Sequence, residues 1–136
     1  GPTEAIAVAP GVTNLGLVPL EAVERLLREA TLFVLPTLPE PFGIAFLDAM
    51  LCKVPCVGTQ VGAVPEILGD AGICVAPADA EALAAAISAL LDDPARRAAM
   101  GEAGRRRVLE RGYLWPEVGK RLSAILSSAG HRKRAA

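Results

Sequence analysis

Two carboxylates in this chain stand where ordinary folding rules would not place them. Glu40 lies between Pro39 and Pro41. A residue that precedes proline is pushed toward extended backbone, and the two rings stiffen the loop, so the side chain is aimed rather than free. Asp48 is the only charge in the run 42–52 (FGIAFLDAMLC), which otherwise reads as a buried helix. A buried carboxylate needs hydrogen-bond donors or takes up a proton. A loop cap or an internal ion pair could supply the donors, and so could the hydroxyls of a ligand. Glu40 sits just before the helix and Asp48 about one and a half turns inside it, so a ligand lying over the helix N-terminus would touch both. The chemistry this suggests is recognition of a hydroxyl-rich anion, with neither carboxylate required as nucleophile or base.

The elements that must position these groups follow from the apolar periods. A β-compatible stretch covers 12–18, and Pro19 opens a helix with Val23, Leu26, Leu27 and Ala30 inward. The run 32–35 (LFVL), stopped by Pro36, predicts a strand buried on both faces. Helix 43–51, strand 54–58, helix 64–68 and strand 72–76 come next. Asp79 caps a helix to Leu91, with Leu83, Ile87, Leu90 and Leu91 inward. Asp93 and Pro94 start another, which Gly112 stops. Trp115-Pro116-Glu117 opens a last helix to about Ser127, and residues 4–9 fit either a strand or a helix end. Strands alternating with helices at short connections predict an α/β fold, a doubly wound parallel sheet of Rossmann-like type. Such sheets bind ligands outside the carboxyl ends of their strands. Two loops qualify, 36–42 and 59–63. Each leads into a helix N-terminus that favours an anion, and Gly43 and Gly62 permit close backbone approach. A nucleotide-sugar has the matching parts: sugar hydroxyls, a pyrophosphate and ribose hydroxyls.

The 136 residues suit one domain, placed at 1–127, with a basic tail at 128–136 expected to be disordered. The chain is 52% hydrophobic and 21% charged, which argues against disorder, and only 4% aromatic, so its core must be aliphatic. A formal net charge of -1 argues against nucleic acid as a partner. The arginines nevertheless cluster at 96–111. They form either a solvated helix face or a patch that meets a partner domain or acidic lipid at the inner membrane surface. Cys52, Cys56 and Cys74 lie in apolar surroundings, and their odd number suggests reduced thiols in a cytoplasmic protein. No metal site or cofactor is implied, because no histidine neighbours the cysteines and His131 lies in the tail. No apolar stretch reaches the length of a membrane span.

The segments EPFGIAFLDAM and KVPCVGTQVGAVPEIL together resemble the signature of the retaining GT-B glycosyltransferases called group 1. That resemblance covers about residues 11–127 and implies the C-terminal, donor-binding half of a GT-B fold. Glu40 falls on the family's first acidic residue, which contacts donor-sugar hydroxyls. Pro41, Phe42, Gly43 and Ile44 fall on the segment whose backbone approaches the sugar and diphosphate. Asp48 falls on the second acidic residue, which holds the ribose, and Thr59, Gly62 and Glu66 fall in the second loop. The implied activity is transfer of a sugar from a nucleotide diphosphate donor, with retention, to an unknown acceptor.

Several features depart from the family pattern. Asp48 replaces glutamate and Ala63 replaces the second loop glycine. The family's preceding strands, its Arg and Lys for the diphosphate and its N-terminal acceptor domain have no counterpart before Gly1. The resemblance therefore implies a fragment that does not turn over alone. Strand 12–18 would then move in beside 32–35, or the open sheet edge would pair with a second chain as a homo-oligomer. The alternative function is a non-catalytic α/β binding or interaction module that kept the fold.

Overall fold

The computed structural model describes residues 9–114 and 116–124. The readings for residues 4–8, Trp115 and the basic tail lie outside the described residues. In chain order the elements are α1 (Leu20–Glu29), β1 (Phe33–Leu35), α2 (Ile44–Leu51), β2 (Cys56–Thr59), α3 (Val64–Leu68), a 3-10 turn (Gly69–Ala71), β3 (Gly72–Val75), α4 (Ala80–Leu91) and α5 (Pro94–Arg111). A further helical stretch covers 116–124. The three strands form one parallel sheet in the order β1-β2-β3, with Phe33 beside Cys56 and Cys56 beside Gly72. The fold is α/β and Rossmann-like, as the alternation of elements predicts.

Local chemistry sets most of the boundaries. The Asp79 carboxylate accepts the Ala82 N–H at 2.8 Å and the Asp93 carboxylate accepts the Arg96 N–H at 2.9 Å, capping α4 and α5. Gly112 ends α5 in the left-handed region, and its N–H returns to the Val108 carbonyl.

The core gathers on α2 and β2. Phe46, Ala49 and Met50 of α2 and Cys56 and Val57 of β2 have no exposed surface, and Val64, Leu68 and Val108 close over them. Phe33 meets Phe46 edge-on with ring centroids 5.4 Å apart. α5 comes close to α2 at two buried glycines: a Cβ on Gly101 would lie 2.2 Å from the Lys53 carbonyl oxygen, and Gly104 packs on Met50.

The structure corrects three expectations. Residues 12–18 form no strand, and Val12, Leu15 and Leu17 are exposed. A strand needs a ladder partner for its backbone groups, and among the described residues none pairs with the outer edge of β1. Only β2 is buried along its whole length. β1 is half-buried because it lies at an edge of the sheet. Leu26 and Leu91, expected inward, are exposed on α1 and α4, whereas Leu27 and Leu90 beside them are buried.

Candidate functional site

The parallel strands end together at Leu35, Thr59 and Val75, so both predicted loops emerge on one side of the sheet. The loops lock into each other. Gly62 has φ +51°, and a Cβ there would lie 1.8 Å from the Glu40 carbonyl oxygen. Only a glycine lets the second loop lie this close to the backbone of the first. Thr59, expected in the loop, is instead the last residue of β2. It is buried, and its hydroxyl donates to the Thr37 carbonyl, tying the first loop to the central strand.

Glu40 is half-buried where the loops meet. Its Oε1 accepts the Gly43 N–H at 2.7 Å and lies 3.4 Å from the Phe42 nitrogen. Gly43 is the N-cap of α2, with φ 85° in the left-handed region. The carboxylate therefore caps the helix at the point where an anion would be favoured. Of the expected site residues, Glu40, Pro41, Phe42, Gly43 and Gly62 come together here.

Asp48 departs from its sequence reading. It lies on the exposed side of α2, not in the core, with Ile44 exposed one turn before it. Its flanks, Leu47 and Ala49, carry the buried face. No side-chain hydrogen bond or ion pair to Asp48 occurs among the described residues, and partial desolvation pushes its carboxyl up from the ordinary value. Asp48 borders two cavities. One, of about 500 Å³, lies between α1 and α2, beside Val23, Leu27, Arg28 and Arg105. The other, of about 340 Å³, joins Asp48 to Phe42, Ile44, Val108, Tyr113 and Val118. The second cavity thus unites three of the expected site residues, Phe42, Ile44 and Asp48. Thr59 instead borders a third, of about 280 Å³, with Pro36, Val75 and Asp79.

Tyr113 was not anticipated from the sequence. Its ring meets Phe42 edge-on, with centroids 6.4 Å apart and planes at 81°. Tyr113 lies 71 positions beyond Phe42, and no local spacing could have joined them.

The late arginines divide by task. Arg97 donates to the Leu90 and Leu91 carbonyls at the end of α4. Arg105 donates to the Leu51 carbonyl at the end of α2. Arg107 donates to the Ile67 and Glu66 carbonyls at the end of α3 and lies 3.6 Å from Asp70. Three guanidiniums of α5 thus satisfy the free carbonyls of three other helices and oppose their negative ends. Arg96, Arg106 and Arg111 remain exposed.

Among the described residues, no cluster of three or more His, Cys, Asp or Glu side chains is placed to hold a metal, and no helix is long and apolar enough to cross a membrane.

A parallel α/β sheet whose loops interlock at its carboxyl end, one of them braced by prolines, defines a Rossmann-like fold. Residues 2–93 match the family model described as "Glycosyl transferases group 1", and the chain belongs to that family. It is 34% identical to an MMP alpha-(1->4)-mannosyltransferase of Mycolicibacterium hassiacum, a match covering 95% of this chain and 33% of that protein. It is 36% identical to a GDP-mannose-dependent monoacylated alpha-(1-6)-phosphatidylinositol monomannoside mannosyltransferase of Corynebacterium glutamicum, over 91% of this chain and 34% of that one. The solved sucrose-phosphate synthase of Thermosynechococcus elongatus superposes with a TM-score of 0.80 at 30% identity, over 88% of this chain and 30% of the synthase. The chain thus spans about a third of the length of the curated relatives it matches.

Proposed function

We propose that this chain is the donor-binding part of a retaining glycosyltransferase that uses a nucleotide diphosphate sugar. The observation that carries the proposal is the junction of the two loops, where Gly62 seats against the Glu40 carbonyl at the N-terminus of α2. In this reading the diphosphate lies over the first N–H groups of α2, which stabilise charge on the leaving group. Glu40 accepts from donor-sugar hydroxyls, as the acidic residue that begins the family signature does. Phe42, Gly43 and Ile44 shape the passage between sugar and diphosphate, and Pro41 stiffens it. Asp48, without a side-chain partner among the described residues and beside the 340 Å³ cavity, takes donors from the ribose. Being one methylene shorter than glutamate, it reaches either directly or through a water. Thr59 and Gly62 hold the second loop in register.

The named donor specificity of the Corynebacterium relative supports the nucleotide diphosphate class. The acceptor is then held by a part of the protein outside these 136 residues, and sugar transfer requires that part. Isothermal titration with GDP and UDP at millimolar concentration tests the proposal. A binding isotherm that weakens on Asp48→Ala is expected. Absence of heat with either nucleotide, or an isotherm indifferent to Asp48→Ala, overturns it.

A second reading, a binding or interaction module without catalysis, has one observation in its favour. The Glu40 carboxylate is already satisfied by backbone N–H groups, as a purely structural cap would be. Identical thermal stability with and without nucleotide would favour that reading.

A further inference from the structure

We propose that Tyr113 is a positioning residue of the donor site, holding the 40–43 segment in register through its edge-to-face contact with Phe42. The functional half of this inference rests on the donor-site reading, and the structural half does not.

Phe42 is 46% exposed, so burial alone does little to fix it. Phe42 nevertheless lies between the two groups that define the Glu40 cap, because its own N–H and that of Gly43 both face the Glu40 carboxylate. Of the groups around its ring, Tyr113 provides an oriented aromatic contact from another part of the chain. Tyr113 is itself well anchored. It packs against the core cluster, its N–H reaches the Val108 carbonyl at 3.4 Å, and the left-handed Gly112 turns the chain so that the ring faces α2. Leu114 then starts the next helical stretch by accepting the Glu117 and Val118 N–H groups. The end of α5 thus presents a fixed ring to Phe42, whose own side chain is half exposed. Phe42 and Tyr113 also border the cavity beside Asp48, so a displacement of either ring changes the space at that carboxylate. The interlock at Gly62 restrains the same loop from the opposite side.

The test compares amide hydrogen exchange in the wild-type chain, Tyr113→Phe, Tyr113→Leu and Phe42→Ala, with GDP titration of each. Tyr113→Leu keeps apolar bulk against the core, and Phe42→Ala removes the partner from the exposed side, so the two reach the same contact by independent routes. Loss of an aromatic pair speeds local opening by about 2- to 10-fold. That acceleration is expected at the Phe42 and Gly43 amides in Tyr113→Leu and at the Gly43 amide in Phe42→Ala, with β2 amides unchanged. Tyr113→Phe should match wild type, and GDP affinity should fall in parallel with the loss of protection. The chain has a single tyrosine, so fluorotyrosine labelling gives one fluorine resonance, expected to shift on Phe42→Ala. Unchanged exchange at Phe42 and Gly43 in Tyr113→Leu overturns the proposal. So does uniform acceleration that includes β2, which would mark a purely global role, and so does a Tyr113→Phe variant that behaves like Tyr113→Leu. If wild type shows local protection dependent on Tyr113 yet binds neither GDP nor UDP, the donor-site reading fails. Tyr113 then keeps its hold on the loop and loses its part in the site.

Discussion

Gly62→Ala separates the interlocked loops from the rest of the fold. Its cost has two parts. Gly62 has φ +51°, and a side chain in that region strains the backbone by about 1–2 kcal/mol. The steric part is larger in its local consequence. The added Cβ would lie 1.8 Å from the Glu40 carbonyl oxygen, a backbone atom that cannot rotate aside. One of the two loops must therefore retreat by more than about 1 Å, which draws the 40–43 segment and the second loop apart. Gly16→Ala is the matched control, because Gly16 has φ +62° with nothing within 4 Å of the added Cβ. Both variants lower the unfolded-state entropy alike, which offsets about 0.4–1 kcal/mol of the strain. Gly16→Ala should lower Tm by only a few degrees, about 2–6 °C, and leave GDP binding unchanged. Gly62→Ala should fold, since the residue is exposed at the loop surface, with Tm lowered somewhat further. Its GDP affinity should fall about 10-fold or more, the loss of one hydrogen bond to a charged group. Differential scanning calorimetry and isothermal titration on the two variants provide the measurement. Gly62→Ala with the Tm and affinity of Gly16→Ala would refute the reasoning, because the loops would then not be interlocked.

Asp48→Asn gives a sign test at the other end of the site. Partial desolvation disfavours the charged form of Asp48 in the folded state. Neutralising it should therefore leave stability at pH 7 equal or slightly raised, while GDP binding weakens. A loss of stability in urea would instead reveal a structural ion pair. Arg107→Ala should destabilise by about 2–4 kcal/mol, because it strands carbonyls at the end of α3 that accept from a largely buried guanidinium. Arg106→Ala should stay within about 0.5 kcal/mol in the same urea titration, since Arg106 is exposed. Burial pushes the Cys56 thiol up from 9.0 to about 12. The unfolded chain releases that proton at lower pH than the folded one, so the thiol's contribution is complete below about pH 9. Stability should then fall by about 1.4 kcal/mol per pH unit between pH 9 and 12. Cys56→Ala should flatten that part of the slope, and Cys74, whose thiol is also raised by burial, should retain a smaller slope of the same sign.

The sequence by itself determined the family and the succession of elements from α1 to α5. Asp79, Asp93, Pro94 and Gly112 act through bonds to backbone a few residues away, so the boundaries of α4 and α5 were legible without tertiary structure. The two candidate loops were legible as well, because proline fixes its own φ and glycine permits left-handed backbone wherever it stands. What tertiary structure decided was which side of each element is covered. The run around Asp48 is apolar enough to read as buried all round, yet among the described residues no element buries the Ile44 and Asp48 side of α2, and a period cannot report the absence of a neighbour. The same limit applies to 12–18, whose β-compatible composition has no ladder partner among the described residues. The arginines of α5 read as a solvated face or a partner-binding patch because helix C-termini attract cations only through space, and which C-termini lie beside α5 is a property of the packed fold. Gly62 against Glu40 and Tyr113 against Phe42 are contacts between distant segments. The residue types made these contacts available, and only the folded chain brings the partners together.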